Sequence, residues 1–140
     1  MARSDDVINT AGHRLSTGAM EEVLLDHPDV ADCAVIGVND DFKGQVAVGF
    51  VVLNKGSTID ENTLRLELVQ RVRDAIGPVA SFKKVRVVEA LPKTRSGKIL
   101  RSTMRAIANG DPWTVTPTID NPKIFDTLAP IIKDLVQRKR

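Results

Sequence analysis

Residues 91–99 read Leu-Pro-Lys-Thr-Arg-Ser-Gly-Lys-Ile. With Arg101 just beyond, they set four cations, Lys93, Arg95, Lys98 and Arg101, in a segment that also holds Pro92, Ser96 and Gly97. Pro92 fixes its own φ and cannot donate a backbone hydrogen bond. Gly97 reaches backbone angles closed to side-chain-bearing residues. This composition describes an exposed, bendable loop with an ammonium at its tip, suited to meeting a phosphate or carboxylate that comes and goes. Taken alone, the four cations favour the plainer reading, a solvated basic loop. A P-loop is a different matter. It needs G-x-x-x-x-G-K-[ST], and here the first glycine is absent and Ile99 stands where the hydroxyl residue belongs.

Other residues with chemical potential are scattered. Ala11-Gly12 fits a tight hairpin turn. Asp5 reads as an exposed turn aspartate. His27, just ahead of Pro28, reads as a helix-end histidine satisfying carbonyls. Arg73 reads as a surface helix arginine. Cys33 lies in the apolar run Cys33-Ala34-Val35-Ile36, where a thiol behaves as a small buried hydrophobe. As the lone cysteine it forms no internal disulfide, and a reducing compartment is the default.

The elements that must position these groups follow from periodicity. Residues 3–16 alternate loosely, consistent with a small hairpin. Met20, Val23, Leu24 and His27 recur at helical spacing and predict a helix over 17–27, which Pro28 ends. Residues 30–38 form a near-continuous apolar run, read as a buried strand. Residues 39–44 form a turn, and the β-branched run 46–53 is an antiparallel partner strand. Residues 60–76 form a helix with Asp60 as cap and Leu64, Leu68, Val72 and Ile76 as its stripe. Gly77-Pro78 stops it. Residues 85–90 form a third strand, and strand, helix, strand in that order implies a right-handed crossover. A short helix over 99–109 follows. Residues 111–121 are rich in Pro and Thr and read as an extended linker. Asn121-Pro122 opens a last helix with Ile124, Leu128, Ile131, Ile132 and Leu135 on its apolar face. Trp113 and Phe125 read as anchors pinning this tail.

The expected fold class is α+β: a small mixed three-stranded β-sheet flanked by helices, with an N-terminal β-hairpin and a C-terminal helical tail. A chain of 140 residues is one ordinary domain with a core of its own. Its 42% hydrophobic and 27% charged residues are those of a globular protein. The net charge of +2 gives no bulk attraction to nucleic acid or membrane. No apolar run approaches the roughly 20 residues of a transmembrane helix, and no signal-peptide pattern opens the chain.

Two motifs carry a resemblance. P-K-T-x-S-G-K at 92–98 resembles the last core motif of the adenylate-forming enzymes, the acyl-CoA synthetase superfamily. Residues 3–14, Arg3-Ser4-Asp5-Asp6 through Gly12-His13-Arg14, resemble the family's hinge motif G-R-x-D-D-x-x-x-x-x-G-x-R, with Ala2 at the first glycine. Order and spacing agree, the likeness runs through nearly the whole chain, and it is closest to the short-chain members, the acetyl- and propionyl-CoA synthetases.

The resemblance implies a mobile C-terminal domain over residues 1–110, beginning at the hinge, with residues 111–140 as a linker and helix packed on it. The parent would be several times longer, its N-terminal domain holding most of the active site, so that these residues alone are inactive. The activity implied is that of an acid–thiol ligase, AMP-forming, with propionate favoured over acetate. ATP with Mg2+, a short-chain carboxylate and CoA are substrates, and no tightly bound cofactor is expected. Lys98 matches the lysine required for adenylation and much less for thioester formation. It is also a target for a lysine acetyltransferase and deacetylase. Asp5 matches the hinge residue. Arg3 and Arg14 match arginines near the nucleotide; Ala11, Gly12 and Arg73 match CoA contacts. His27, with the carbonyls of Leu25 and Val30, matches a cation site of the short-chain members. The location implied is cytoplasmic, or the mitochondrial matrix in a eukaryote.

Two other readings stay open. One is a different adenylate-former, such as an acetoacetate or medium-chain ligase or a carrier-loading module, the last opposed by the tail. The other is a small basic binding module using Lys93, Arg95, Lys98 and Arg101, opposed by near-neutral charge and 4% aromatic content.

Overall fold

The computed structural model describes residues 7–10, 13–40, 44–77, 82, 84–115, 117–119 and 123–137. The chain runs β1 (Val7–Thr10), β2 (His13–Ser16), α1 (Thr17–Leu25), β3 (Val30–Asp40), β4 (Gly44–Leu53), α2 (Glu61–Ala75), β5 (Lys84–Val87), α3 (Arg101–Asn109) and α4 (Ile124–Gln137). The heart of the sheet is the expected mixed three strands. β4 pairs antiparallel with β3 along its length and parallel with β5 at Val48–Val51. The hairpin β1–β2 joins the sheet at the start of β4, where Thr10 faces Gly44, so the continuous ladder counts five strands.

Both faces of β3 and β4 are covered, which is why β3 is apolar almost throughout rather than alternating. Ala34, Ile36, Val38, Val48 and Phe50 face a core completed by Met104 and Ile107 of α3 and Phe125, Leu128 and Ile132 of α4. Cys33, Val35, Ala47 and Val51 face a second core with Met20 and Leu24 of α1 and Leu64, Leu68 and Val72 of α2. The register sets Ala34 opposite Phe50 and Val35 opposite Gly49, so the two cores share one pleat. Gly49 is required by packing: a Cβ there would stand 2.9 Å from the buried ring of Phe82.

Capping agrees with local sequence. The Asp60 carboxylate accepts from the Thr63 N–H at 3.2 Å, and the Ser16 hydroxyl accepts from the Ala19 N–H at 3.3 Å. Several boundaries differ from the sequence reading. β3 and β4 run on through Asn39–Gln45 and Asp40–Gly44 pairs, because ladder bonds need only the backbone; the expected turn therefore shrinks towards residues 41–43, which lie outside the described residues. α1 stops at Leu25, leaving His27 beyond the helix with its N–H on the Leu24 carbonyl at 3.1 Å. β5 ends at Val87, although the Val88 N–H still reaches the Val51 carbonyl at 2.8 Å. α3 begins at Arg101, not Ile99, because Ile99 is taken by a bridge to Lys93. The proposed Asn121-Pro122 start of α4 lies outside the described residues. α4 passes through Pro130, which lacks the N–H that would bond back one turn.

Candidate functional site

Residues 91–100 fold back on themselves. Leu91 is buried against the α3–α4 core and anchors the near end. Lys93 and Ile99 form an antiparallel bridge, and the Leu100 N–H donates to the Pro92 carbonyl at 2.9 Å. At the tip the Gly97 N–H donates to the Thr94 carbonyl, and the Thr94 N–H to the Lys98 carbonyl, each at 2.9 Å. This is a tight turn closed by a glycine bulge, and Gly97 fills the positive-φ position (φ 93°) that such a bulge requires. The Thr94 hydroxyl accepts from the Lys98 N–H at 3.1 Å and lies 2.9 Å from the Ser96 hydroxyl. The segment is exposed as expected, but it is a clamped hairpin rather than a bendable loop.

The four cations of this stretch have different fates. The Lys93 ammonium lies 2.5 Å from an Asp32 carboxylate oxygen. Arg101 forks onto Glu21, with Nε 2.7 Å from Oε2 and a second nitrogen on Oε1; both side chains are largely buried. Arg95 and Lys98 are exposed and form no ion pair with another described residue. Among the described residues the basic patch therefore offers two unpaired charges, not four, which further weakens the reading as a basic binding module. What remains is a point charge on a rigid support. An ammonium so held can offset negative charge as a carboxylate nears a phosphate, at little reorganisation cost.

Other expected site residues are dispersed. Arg73 is exposed in the last turn of α2, in the layer on the opposite side of the sheet from the Lys98 hairpin. Arg14 pairs with Asn9 across the β1–β2 hairpin through its backbone, and its side chain lies outside the description. Arg3, Asp5, Ala11 and Gly12 lie outside the described residues.

Leu25, His27 and Val30 meet at the corner between α1 and β3. His27 is buried, and both ring nitrogens are engaged. Nδ1 accepts from the Asp29 N–H at 3.1 Å, which leaves the proton on Nε2 to donate to Glu67 at 2.6 Å. So arranged, the ring turns no lone pair to a cation. Among the described residues no group of three or more His, Cys, Asp or Glu could hold a metal ion. A cation here would draw on the main-chain carbonyls of Leu25 and Val30, with His27 as a brace.

Sequence reasoning missed the partners. Glu21 lies one turn from Thr17 and Leu24 on the buried face of α1, and a carboxylate at that spacing is the signal that could have found it. Its Oε2 also accepts from the Val35 N–H at 2.8 Å. The Cys33 thiol donates to the Glu21 carbonyl at 3.4 Å. Burial pushes that thiol up to about 12; the Glu21 and Asp32 charges add to the rise and Arg101 opposes it. Asp32 gave no signal, because its link to Lys93 spans the fold.

The chain is similar in sequence and in fold to known proteins. Residues 19–98, ending on Lys98 itself, match the family described as AMP-binding enzyme C-terminal domain. The chain is 52% identical over 136 residues to mouse acyl-CoA synthetase short-chain family member 3, mitochondrial, covering 97% of this chain and 20% of that protein. It is 41% identical over 138 residues to acetyl-coenzyme A synthetase of Penicillium chrysogenum, again 97% of this chain and 20% of that one. Among solved structures, a Brucella canis acyl-CoA synthetase superposes with a TM-score of 0.67 at 36% identity, over 75% of this chain and 19% of that chain. The chain thus spans about a fifth of the length of these relatives. With an exposed lysine closing the matched segment and the fold shared, the chain belongs to the AMP-binding enzyme C-terminal domain family.

Proposed function

We propose that this chain serves as the C-terminal domain of an AMP-forming short-chain acyl-CoA synthetase, with Lys98 as the adenylation lysine. The observation that carries the reading is the exposed Lys98 ammonium on a hydrogen-bonded hairpin. In the first half-reaction a carboxylate oxygen attacks the α-phosphorus of ATP. The acyl-adenylate forms, and pyrophosphate leaves with the broken bond's electron pair. Lys98 lies between the two anions, offsets their repulsion and aligns the attack. In the second half-reaction the CoA sulfur attacks the acyl carbon, AMP departs, and the thiol proton is released.

Rotation about Asp5 withdraws Lys98 between the steps. Arg3 and Arg14 then serve the nucleotide, and Ala11, Gly12 and Arg73 the CoA arm and its phosphates. Mg2+ accompanies ATP. Propionate is the proposed acid, with acetate second. The site's remaining polypeptide is an N-terminal domain of the same enzyme, in the cytoplasm or, in a eukaryote, the mitochondrial matrix. An exposed Lys98 also suits an acetyltransferase, and acetylation would erase its charge.

The test is Lys98→Ala in the full-length enzyme. Carboxylate-dependent ATP–pyrophosphate exchange should fall at least about 100-fold. Thioester formation from supplied acyl-adenylate should stay within about threefold. Equal loss of both half-reactions refutes the role.

A further inference from the structure

The hairpin that carries Lys98 is not closed by its own residues alone. On its outer side the Arg95 N–H donates to the Thr118 carbonyl at 2.9 Å. The next residue on each strand, Thr94 and Ile119, forms an antiparallel bridge. The hairpin therefore has a third strand, supplied by the tail. That strand is itself anchored: Ile119 is buried in the α3–α4 core, and Trp113 packs on Phe125 with ring centroids 5.2 Å apart. The family match ends at residue 98, so this third strand lies beyond the segment that defines the family.

We propose that the tail segment around Thr118 and Ile119 is a positioning strap that fixes the Lys98 hairpin for the adenylation step; this rests on the adenylation reading of Lys98. The physical argument is directional. Thr94 is fixed from within by Lys98 and from without by Ile119, and the Thr94 hydroxyl holds the Lys98 N–H. Removing the outer strand leaves the hairpin held at its base, through Leu91, Leu100 and the Lys93–Asp32 pair, while its tip loses its outer support and the ammonium samples a wider arc. A catalytic charge misplaced by about 1 Å can lose about two orders of magnitude in rate. The thioester step, in which Lys98 has no part, does not depend on that arc.

The experiment uses the full-length enzyme. Arg95→Pro removes the N–H that meets Thr118, at a turn position that tolerates proline after an extended residue. Arg95→Ala keeps that N–H. Ile119→Ala loosens the anchor, and Ile119→Val restores most of it. Pyrophosphate exchange should be about tenfold slower for Arg95→Pro than for Arg95→Ala. It should be similarly slow for Ile119→Ala, and near the parent rate for Ile119→Val. Thioester formation from supplied acyl-adenylate should change less than about twofold throughout. If both half-reactions fall together, or if Arg95→Pro matches Arg95→Ala, the strap is only structural and the proposal is overturned. Lys98→Ala separates the two ideas. If it abolishes exchange while the strap variants do not, only the strap falls; if it leaves exchange intact, the adenylation reading falls and takes the strap with it.

Discussion

Cys33 shows how one residue's surroundings decide its chemistry. Its thiol is enclosed between α1 and the β3–β4 pair, donates to the Glu21 carbonyl, and lies near two carboxylates. Burial first, then Glu21 and Asp32, raise its pKa from 9.0 to about 12, so the reactive thiolate is suppressed in the folded state. The folded pKa lies above the unfolded one. The stabilisation is therefore fully present below pH 9 and is lost as pH rises from 9.0 towards about 12, because only the unfolded chain releases the proton in that window. Two measurements check this. At pH 8 a disulfide reagent should label Cys33 at least 100-fold faster in denaturant than in the native protein. Between pH 9 and 10 unfolding free energy should drop more steeply for the parent than for Cys33→Ala. Equal slopes, or rapid native labelling, would show that the thiol is not enclosed.

At the scale of elements, two edge strands of the sheet, β3 and β5, each meet a helix carboxylate. The Val35 N–H of β3 bonds Glu21 of α1, and the Val87 N–H of β5 bonds Glu61 of α2 at 2.9 Å. Open edges invite pairing with other chains, and each carboxylate blocks one. The two are not equal. Glu21 is buried and also clamps Arg101 at the start of α3, tying the helical layers together around the β3 edge; Glu61 is half-exposed and meets Arg86 only loosely. Removing one partner of a buried pair strands the other charge. Arg101→Met should thus cost about 3 kcal/mol in denaturant unfolding, and Glu61→Ala under about 1 kcal/mol. A comparable cost for both would mean that burial does not set the ranking. Much of this scaffold was legible in the chain. The stripe at Leu64, Leu68 and Val72, the Asp60 cap and the apolar run of β3 specify their elements through local rules. The Lys98 hairpin was legible as an exposed cationic turn. Its stiffness was not, because that comes from Asp32 and Ile119, more than twenty residues away on either side. Arg101 was misread as a solvent cation for the same reason: its partner Glu21 is 80 residues distant.

At the scale of the whole molecule, the two cores back onto a single β3–β4 pair, so neither can open without disturbing the other's floor. Each β3 residue that turns to one core has neighbours turned to the other, and the tail contributes Phe125, Leu128 and Ile132 to the first core. The 140 residues should therefore unfold as one unit, since loss of either helical layer exposes half of the shared sheet. Trp113, the single tryptophan, reports on the tail side, while far-UV dichroism reports on the four described helices together. Coincident denaturation midpoints are expected from the two probes. An earlier tryptophan transition would mean that the tail undocks by itself and the cores are not coupled. The same folded chain should turn over neither half-reaction with carboxylate, ATP and CoA. In the role proposed for it Lys98 would supply charge but no pocket for an acyl group or adenine, and a lone exposed ammonium in water retains little of the force it would have in a closed, dry site. Folding with no turnover is thus the paired expectation, read by dichroism and by pyrophosphate release on one sample. Measurable release from the isolated chain would show that the charge proposed to act in adenylation does not need a partner surface.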